Sequence, residues 1–345
     1  MKVLIAHDIF APDFRGGGEV VVLETARHLQ RRGAQVRVLC TGDPALAEYE
    51  GIVTRRLPIH RYRYNLADRE FDEEARRADI IQSFNYHACL PSLRAARRAG
   101  IPVVCQMLGI CGDSWLDIQG PLMGRAWRAW ERHLVRQPYT RTAFLSDFSL
   151  QEGLQLGVDP SRAIVTNPGL DLELYDPARE KEDVVLFVGK IDVRKGVQNV
   201  LDAARALPEV RFRLVGWGAV EEFRRGAPGN AEFVGLVRGA ALRDEFARAR
   251  IFLLPSRGET FGIALVEAMA SGCAVVSSIP LPFAGERIAY GDSAAITAAV
   301  RRLWNDRDES RRVGLRNVAM ASQYTWDRYT TTLLDTYEEL LARPG

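Results

Sequence analysis

Two carboxylates and two lysines are the residues whose types and spacing could do chemistry. Residues 255–270 place Glu259 on the loop after a buried apolar run and Glu267 about a turn and a half into the helix that follows. At that spacing both carboxylates can address one ligand. Free backbone N–H groups at Phe261, Gly262 and Ile263, at the helix start, suit sugar or phosphate oxygens. Glu267 would lie deeper, where hydrogen bonds to two vicinal hydroxyls such as those of ribose are possible. A capping carboxylate with an ordinary helix-surface glutamate is the other reading.

Residues 187–197 form the second segment: an apolar strand, Gly189, then a loop carrying Lys190, Arg194 and Lys195 into a helix. Positive side chains at a strand's carboxyl end, beside a helix start, suit a diphosphate. A solvated basic turn is the alternative. Only four of the 46 basic residues are lysines, at 2, 181, 190 and 195, so lysine is used twice here in a chain that otherwise uses arginine, although Lys181 is also close.

The elements that must position these groups read as alternating strands and helices. Val3–Ala6, the glycine turn Gly16–Gly18, a helix over Glu19–Gln30 closed by Gly33 and a strand over Val36–Leu39 make a β-α-β unit. Apolar runs at 79–81, 101–105 and 143–145 extend a parallel sheet. A second alternation begins at Val184 and includes a helix over 261–270 closed by Gly272. The expectation is two Rossmann-like α/β domains facing across a cleft: 1–169, 170–325, and a last helix within 326–345. Ligands of such sheets bind beyond the carboxyl ends of the strands.

Composition narrows the function. The 345 residues suit two domains, and 47% hydrophobic with 26% charged residues describes a globular chain. No apolar run is long enough for a membrane span, the start reads as a strand rather than a signal peptide, and five scattered cysteines without a Cys-x-x-Cys pair suggest a reduced, cytoplasmic protein. A net charge of +2 gives no argument for nucleic acid. Asp306 and Asp308, the one Asp-x-Asp, lie between polar helical segments, so no metal is expected. Trp217 could stack on a base or cover apolar surface. His7, Asp8, Asn85 and His87 follow strands and are candidates for ligand contact, with a structural histidine as the other reading of His87. A helix over 124–141 carries Arg125, Arg128, Arg132 and Arg136 along one side, a possible peripheral membrane contact.

Together these segments resemble glycosyltransferase family 4, retaining enzymes of the GT-B fold. The likeness rests on Gly16–Glu19, Arg32–Val36, Ser146–Ser149, Asn167–Asp171, Lys190 with Lys195–Gly196, Val215–Gly218, the Glu259/Glu267 pair, and the closing stretches 324–326 and 337–341. The resemblance implies an N-terminal acceptor-binding domain, a C-terminal domain for a nucleotide-sugar donor, and a terminal helix crossing back to the first. It implies that Lys190 and Lys195 neutralise the donor diphosphate with the amides of Gly16 and Gly17, that Glu259 holds sugar hydroxyls and that Glu267 holds the ribose. Under it, His7, Asp8, Asn85 and His87 are the candidates for acceptor contact. Fixed charges then replace a metal or other cofactor, and a hexose passes to an acceptor hydroxyl of a glycan, lipid-linked sugar or small natural product, with UDP preferred to GDP as the commoner donor nucleotide. Two departures stand out. Residues 278–285 are shorter than the family's Gly-Gly-x-Pro-Glu loop and lack it, and Met107, Leu108 and Gly109 stand where a histidine is common. These departures keep a non-catalytic sugar- or nucleotide-binding scaffold as an alternative. A two-Rossmann oxidoreductase would need a glycine spacing that Gly16–Gly18 does not have.

Overall fold

The structure, a computed structural model, describes residues 1–13 and 16–342. It divides into two compact units, one of Met1–Gly169 with the segment from Trp326 onward, the other of Leu170–Thr325.

The first unit is built on β1 (Lys2–Ala6), α1 (Gly17–Arg31), β2 (Gln35–Thr41), β3 (Glu48–Tyr49), β4 (Ile52–Leu57), α2 (Asp68–Ala75), β5 (Ile80–Phe84), α3 (Cys89–Ala99), β6 (Val103–Met107), α4 (Ser114–Val135), β7 (Arg141–Phe144), α5 (Asp147–Leu156) and β8 (Ala163–Val165). The strands form one sheet in the order β3-β4-β2-β1-β5-β6-β7-β8, parallel except for the short β3. Its central strand β1 is in register with both neighbours, Val3 opposite Val36 on β2 and Ile80 on β5. Every residue of β5 and β6 is buried. Strands covered on both faces read as unbroken apolar runs, which is why they were legible without alternation.

The helix expected over 124–141 differs from the one observed. α4 begins ten residues earlier, breaks at Gly120, whose φ of 76° and ψ of 173° are not helical, resumes at Pro121, and ends at Val135. Proline suits the first turn of a helix because its missing N–H has no partner there anyway. The strands β3, β4 and the helix α2, which lack long apolar runs, had no reading in the sequence.

The second unit contains β9 (Glu182–Val188), α6 (Val197–Ala206), β10 (Phe212–Val215), α7 (Val220–Arg224), β11 (Ala231–Gly235), α8 (Gly239–Arg248), β12 (Ala249–Leu254), α9 (Ile263–Ala270), β13 (Ala274–Ser277), β14 (Gly285–Arg287), α10 (Ser293–Asn305) and α11 (Arg307–Ala321). Its sheet is wholly parallel, in the order β11-β10-β9-β12-β13-β14. Asp306 closes α10 and caps α11 by accepting from the Glu309 N–H at 2.7 Å, so it serves a helix junction.

The last helix, α12 (Trp326–Ala342), packs in the first unit. Its Tyr329 hydroxyl lies 2.8 Å from Thr25 Oγ1 of α1, and its Tyr337 hydroxyl donates to Gln82 Oε1 of β5 at 2.6 Å; both tyrosines are buried. Among the described residues no helix is long and apolar enough to cross a membrane.

Candidate functional site

In the second unit the loops after β9 and β12 meet. Asp192 caps the short turn Val193–Lys195 by accepting from the Lys195 N–H at 2.9 Å. Gly196 follows with φ of 73°, and a β-carbon there would lie 2.1 Å from the Pro255 carbonyl oxygen. Only glycine lets the two loops approach so closely. The Arg257 N–H donates to the Arg194 carbonyl at 2.7 Å, closing the second contact between them. On this frame the Lys195 ammonium pairs with the Glu259 carboxylate, and both side chains are largely buried. Lys190 sits 5.3 Å from the centre of the half-exposed Trp217 ring and 3.8 Å from Asp192 Oδ2. Trp217 is carried by the turn after β10, where the Ile191 N–H donates to its carbonyl at 2.8 Å. The structure therefore brings Gly189, Lys190, Lys195, Trp217 and Glu259 to the carboxyl edge of one sheet.

The helix α9 starts at the same edge. Gly262 is its N-cap with φ of 89°, and Phe261 is buried edge-on against Tyr324, so of Phe261 only the backbone is left to meet a ligand here. Glu267, one helical turn further on, accepts from the Tyr175 hydroxyl at 3.0 Å. Burial raises the Glu267 pKa to about 7 against the opposing pull of that hydrogen bond and of Arg243. Tyr175 is a site residue that sequence reasoning missed. It sits 92 positions from its partner, and only its place after the Asn167–Asp171 segment hinted at it.

The third of the clustered lysines has a different task. Lys181 donates to the Ala247 carbonyl at 2.7 Å and the Ser271 carbonyl at 2.5 Å, joining the ends of α8 and α9. Burial lowers its pKa.

The short segment after β13 is firmly held. Arg287 donates to the carbonyls of Ile279 and Leu281 at 2.7 and 3.0 Å, and the Asn317 side chain both accepts from and donates to the Ala284 backbone at 2.7 and 2.9 Å. Ser278 Oγ donates to the Ser256 carbonyl at 2.5 Å, which anchors the segment to the loop carrying Glu259.

The first unit has its own polar cluster at the carboxyl edge of its sheet. Asp8, after β1, is 1% exposed and lies 2.8 Å from Arg61 Nε. His7 lies with Nδ1 2.6 Å from the Ile9 carbonyl and Nε2 3.5 Å from Asp8 Oδ1. His87, after β5, has Nδ1 3.2 Å from Asn65 Nδ2, and burial lowers its pKa, so the ring is neutral near pH 7. Asn85 has both ends of its amide committed: Oδ1 accepts from the Leu108 N–H at 2.8 Å and Nδ2 donates to the Gly109 carbonyl at 2.7 Å. Its side chain fixes the loop after β6. Glu131 continues that task, accepting from the Cys111 and Gly112 N–H groups at 2.8 Å each and from the Tyr86 hydroxyl at 2.6 Å. Gly16, in extended backbone, caps α1, and Gly17 is its first residue, so their N–H groups lie where an anion is favoured. Arg61, Asn65 and Glu131 carried no signal in the sequence; their partners are remote, and the run 61–64 reads only as a basic and aromatic stretch.

Two parallel α/β sheets, each with polar loops at the carboxyl edge and one with a lysine–glutamate cluster at a helix start, define a two-domain, nucleotide-binding type of α/β protein. Comparison gives the family. Residues 15–174 match the model described as Glycosyltransferase Family 4, and residues 182–306 match Glycosyl transferases group 1. A phosphatidyl-myo-inositol mannosyltransferase of Mycobacterium leprae is 29% identical, with 94% of each chain covered. A GDP-mannose-dependent alpha-mannosyltransferase of Mycolicibacterium smegmatis is 27% identical over 99% of this chain and 98% of that one. Among solved structures, Anabaena HepE in complex with UDP and glucose superposes with a TM-score of 0.80 at 20% identity, covering 99% of this chain and 100% of that one. Sucrose-phosphate synthase from Thermosynechococcus elongatus gives 0.83 at 18% identity, with 99% of each chain covered. The chain belongs to glycosyltransferase family 4 and has the GT-B fold; it is a glycosyltransferase of the kind that uses nucleotide sugars.

Proposed function

We propose that the protein is a retaining, metal-independent hexosyltransferase that takes its sugar from a nucleoside diphosphate, UDP in preference to GDP, and passes it to an acceptor hydroxyl. The pairing of Lys195 with Glu259, on abutting loops beside the start of α9, carries this reading. Lys190 and Lys195 neutralise the donor diphosphate as the bond to the sugar breaks, with the α9 N-terminus adding its partial positive charge. Glu259 leaves Lys195 in part to hold sugar hydroxyls, and Glu267 accepts from the ribose through the oxygen that Tyr175 does not engage. The departing phosphate oxygen takes the acceptor's proton, so no carboxylate base is needed. In this scheme the second unit binds the donor, and the first binds the acceptor through His7, Asp8 and His87.

Names of relatives support a sugar nucleotide without agreeing on its base: one acts with GDP-mannose, and HepE is seen with UDP-glucose. Calorimetry with UDP and GDP chooses between them. NMR of the product's anomeric proton tests retention, and activity unchanged by EDTA supports a mechanism without metal. Lys195→Ala should lower turnover roughly 100-fold or more, as the loss of one group that stabilises charge in a transition state does; full activity in that variant would remove the role given to it.

The segment after β13 favours a second reading, a binding scaffold without turnover, because two of its N–H donors are committed within the protein, Ile279 to Ser277 Oγ at 3.2 Å and Ala284 to Asn317 Oδ1 at 2.7 Å. Tight UDP binding with neither transfer nor donor hydrolysis would select it. A cytoplasmic protein at the inner face of a membrane remains part of the proposal, with Arg125, Arg128, Arg132 and Arg136 as the contact. Arg128 is paired with Asp113, and Arg136 donates to the Leu156 carbonyl at 2.7 Å, so Arg125 and Arg132 alone are left to it and any such contact is weak.

A further inference from the structure

Beside the polar cluster of the first unit lies a recess of about 330 Å³ lined by Tyr62, Asn65, His87, Met123, Trp127 and Trp130, with Ala126 between them. Its size falls at the lower end of small-molecule sites, about 300–1,000 Å³. The walls are carbon. Trp127 is held in place by stacking on Trp115, centroids 5.2 Å apart and planes at 20°, and Tyr62 stands edge-on to His87 at 5.2 Å. Rings fixed in this way lose little freedom when something covers them. Tyr62 and Met123 nonetheless leave more than half of their surface in water, 59% and 56%. Asn65 and His87 bring an amide and an imidazole to the recess, and the Asn65 Oδ1 is buried with no partner among the described residues.

We propose that this recess is a subsite for the apolar group of an amphiphilic acceptor, an alkyl or aryl group carried next to the accepting hydroxyl, with the polar end at Asn65 and His87. The inference rests on the transferase reading and names the acceptor class for it. A bare oligosaccharide fits poorly, because most of its hydroxyls would meet carbon walls and lose water without finding partners. A charged ligand fits poorly for the same reason. Among the described residues, the two arginines of α4 without another engagement, Arg125 and Arg132, are fewer than the four to eight cations of a typical lipid-binding cluster.

The test uses the full chain and methyl, butyl, hexyl and octyl β-glucosides below their micelle concentrations, read by tryptophan fluorescence and calorimetry. Affinity should rise about fourfold for each methylene that enters the recess, then level off when it is full. Met123→Asp, at an exposed position, should weaken octyl glucoside at least tenfold while leaving UDP binding intact; Trp127→Ala should do the same. Equal affinity across the series overturns the proposal, and so does a chain-length effect that survives Met123→Asp. A chain-length effect seen only with phosphatidylglycerol vesicles present also overturns it, in favour of a bilayer contact. Loss of UDP binding by the unaltered protein would instead count against the donor-site reading and leave the recess to be judged by the glucosides alone.

Discussion

At the scale of single residues, the hydrogen bond from Tyr175 to Glu267 has the most measurable consequence. The carboxyl titrates at about 7, well above its usual value of 4.5, because burial penalises its charge. The folded protein therefore holds this proton more tightly than the unfolded chain does. The stability contributed by the group is fully present below about pH 4.5 and declines as pH rises through about 7. Glu267→Gln should thus gain stability relative to the unaltered protein at pH 8 and not at pH 4, which paired thermal melts would detect. For binding, the carboxylate is the form that accepts from ribose hydroxyls, so UDP affinity should rise with pH through about 7. The ionisation of UDP itself persists in Glu267→Gln and serves as the control. Tyr175→Phe removes a hydrogen bond to a charged group, worth about 1.5–3 kcal/mol, and should weaken UDP binding roughly tenfold at neutral pH while moving the pH profile upward. A profile that does not move would mean the phenol only fills space.

At the scale of elements, the close approach of two loops makes the candidate site of the second unit a single construction. Gly196→Ala would place a β-carbon against the Pro255 carbonyl oxygen and hold a non-glycine residue in the left-handed region, itself a cost of about 1–2 kcal/mol. We expect more than about 2 kcal/mol of destabilisation by urea unfolding, and loss of UDP binding even where the variant still folds. Much of this construction was legible beforehand. The apolar runs gave β9 and β12, the glycines gave the turns, and the seven-residue interval placed Glu259 on a loop and Glu267 on a helix. What was hidden depends on partners far along the chain. Nothing local marks Arg287 and Asn317 as the residues that tie down the short segment after β13, Arg61 as the cation beside Asp8, or Asn65 as the neighbour of His87. α4 was misplaced at both ends: its first piece, before the break at Gly120, had no reading in the sequence, and the helix stops at Val135 rather than running to 141.

At the scale of the whole molecule, α12 is the element on which the first unit most depends. Tyr329, Leu333, Tyr337 and Leu340 are buried there, and two of their hydroxyls bond to α1 and β5. Removing the chain after Thr325 should leave the first unit's apolar face open to water. Each buried side chain of that size is worth about 1.5–3 kcal/mol, so the loss rivals the total stability of a typical domain. The truncated protein should show an early unfolding transition or aggregate in calorimetry, while the transition of the second unit, whose residues are untouched, stays near its original temperature. A single unchanged transition would mean that α12 is an accessory.

The same feature sets an order of events during synthesis. A chain made from its N-terminus usually completes its first domain first. Here the first unit lacks α12 until residues 326–342 have emerged, whereas Leu170–Thr325 are all available earlier. The first unit, although begun first, is finished after the second. Until then β5 and α1 lack their tyrosine partners, so the first unit stays open to aggregation while the second is being made.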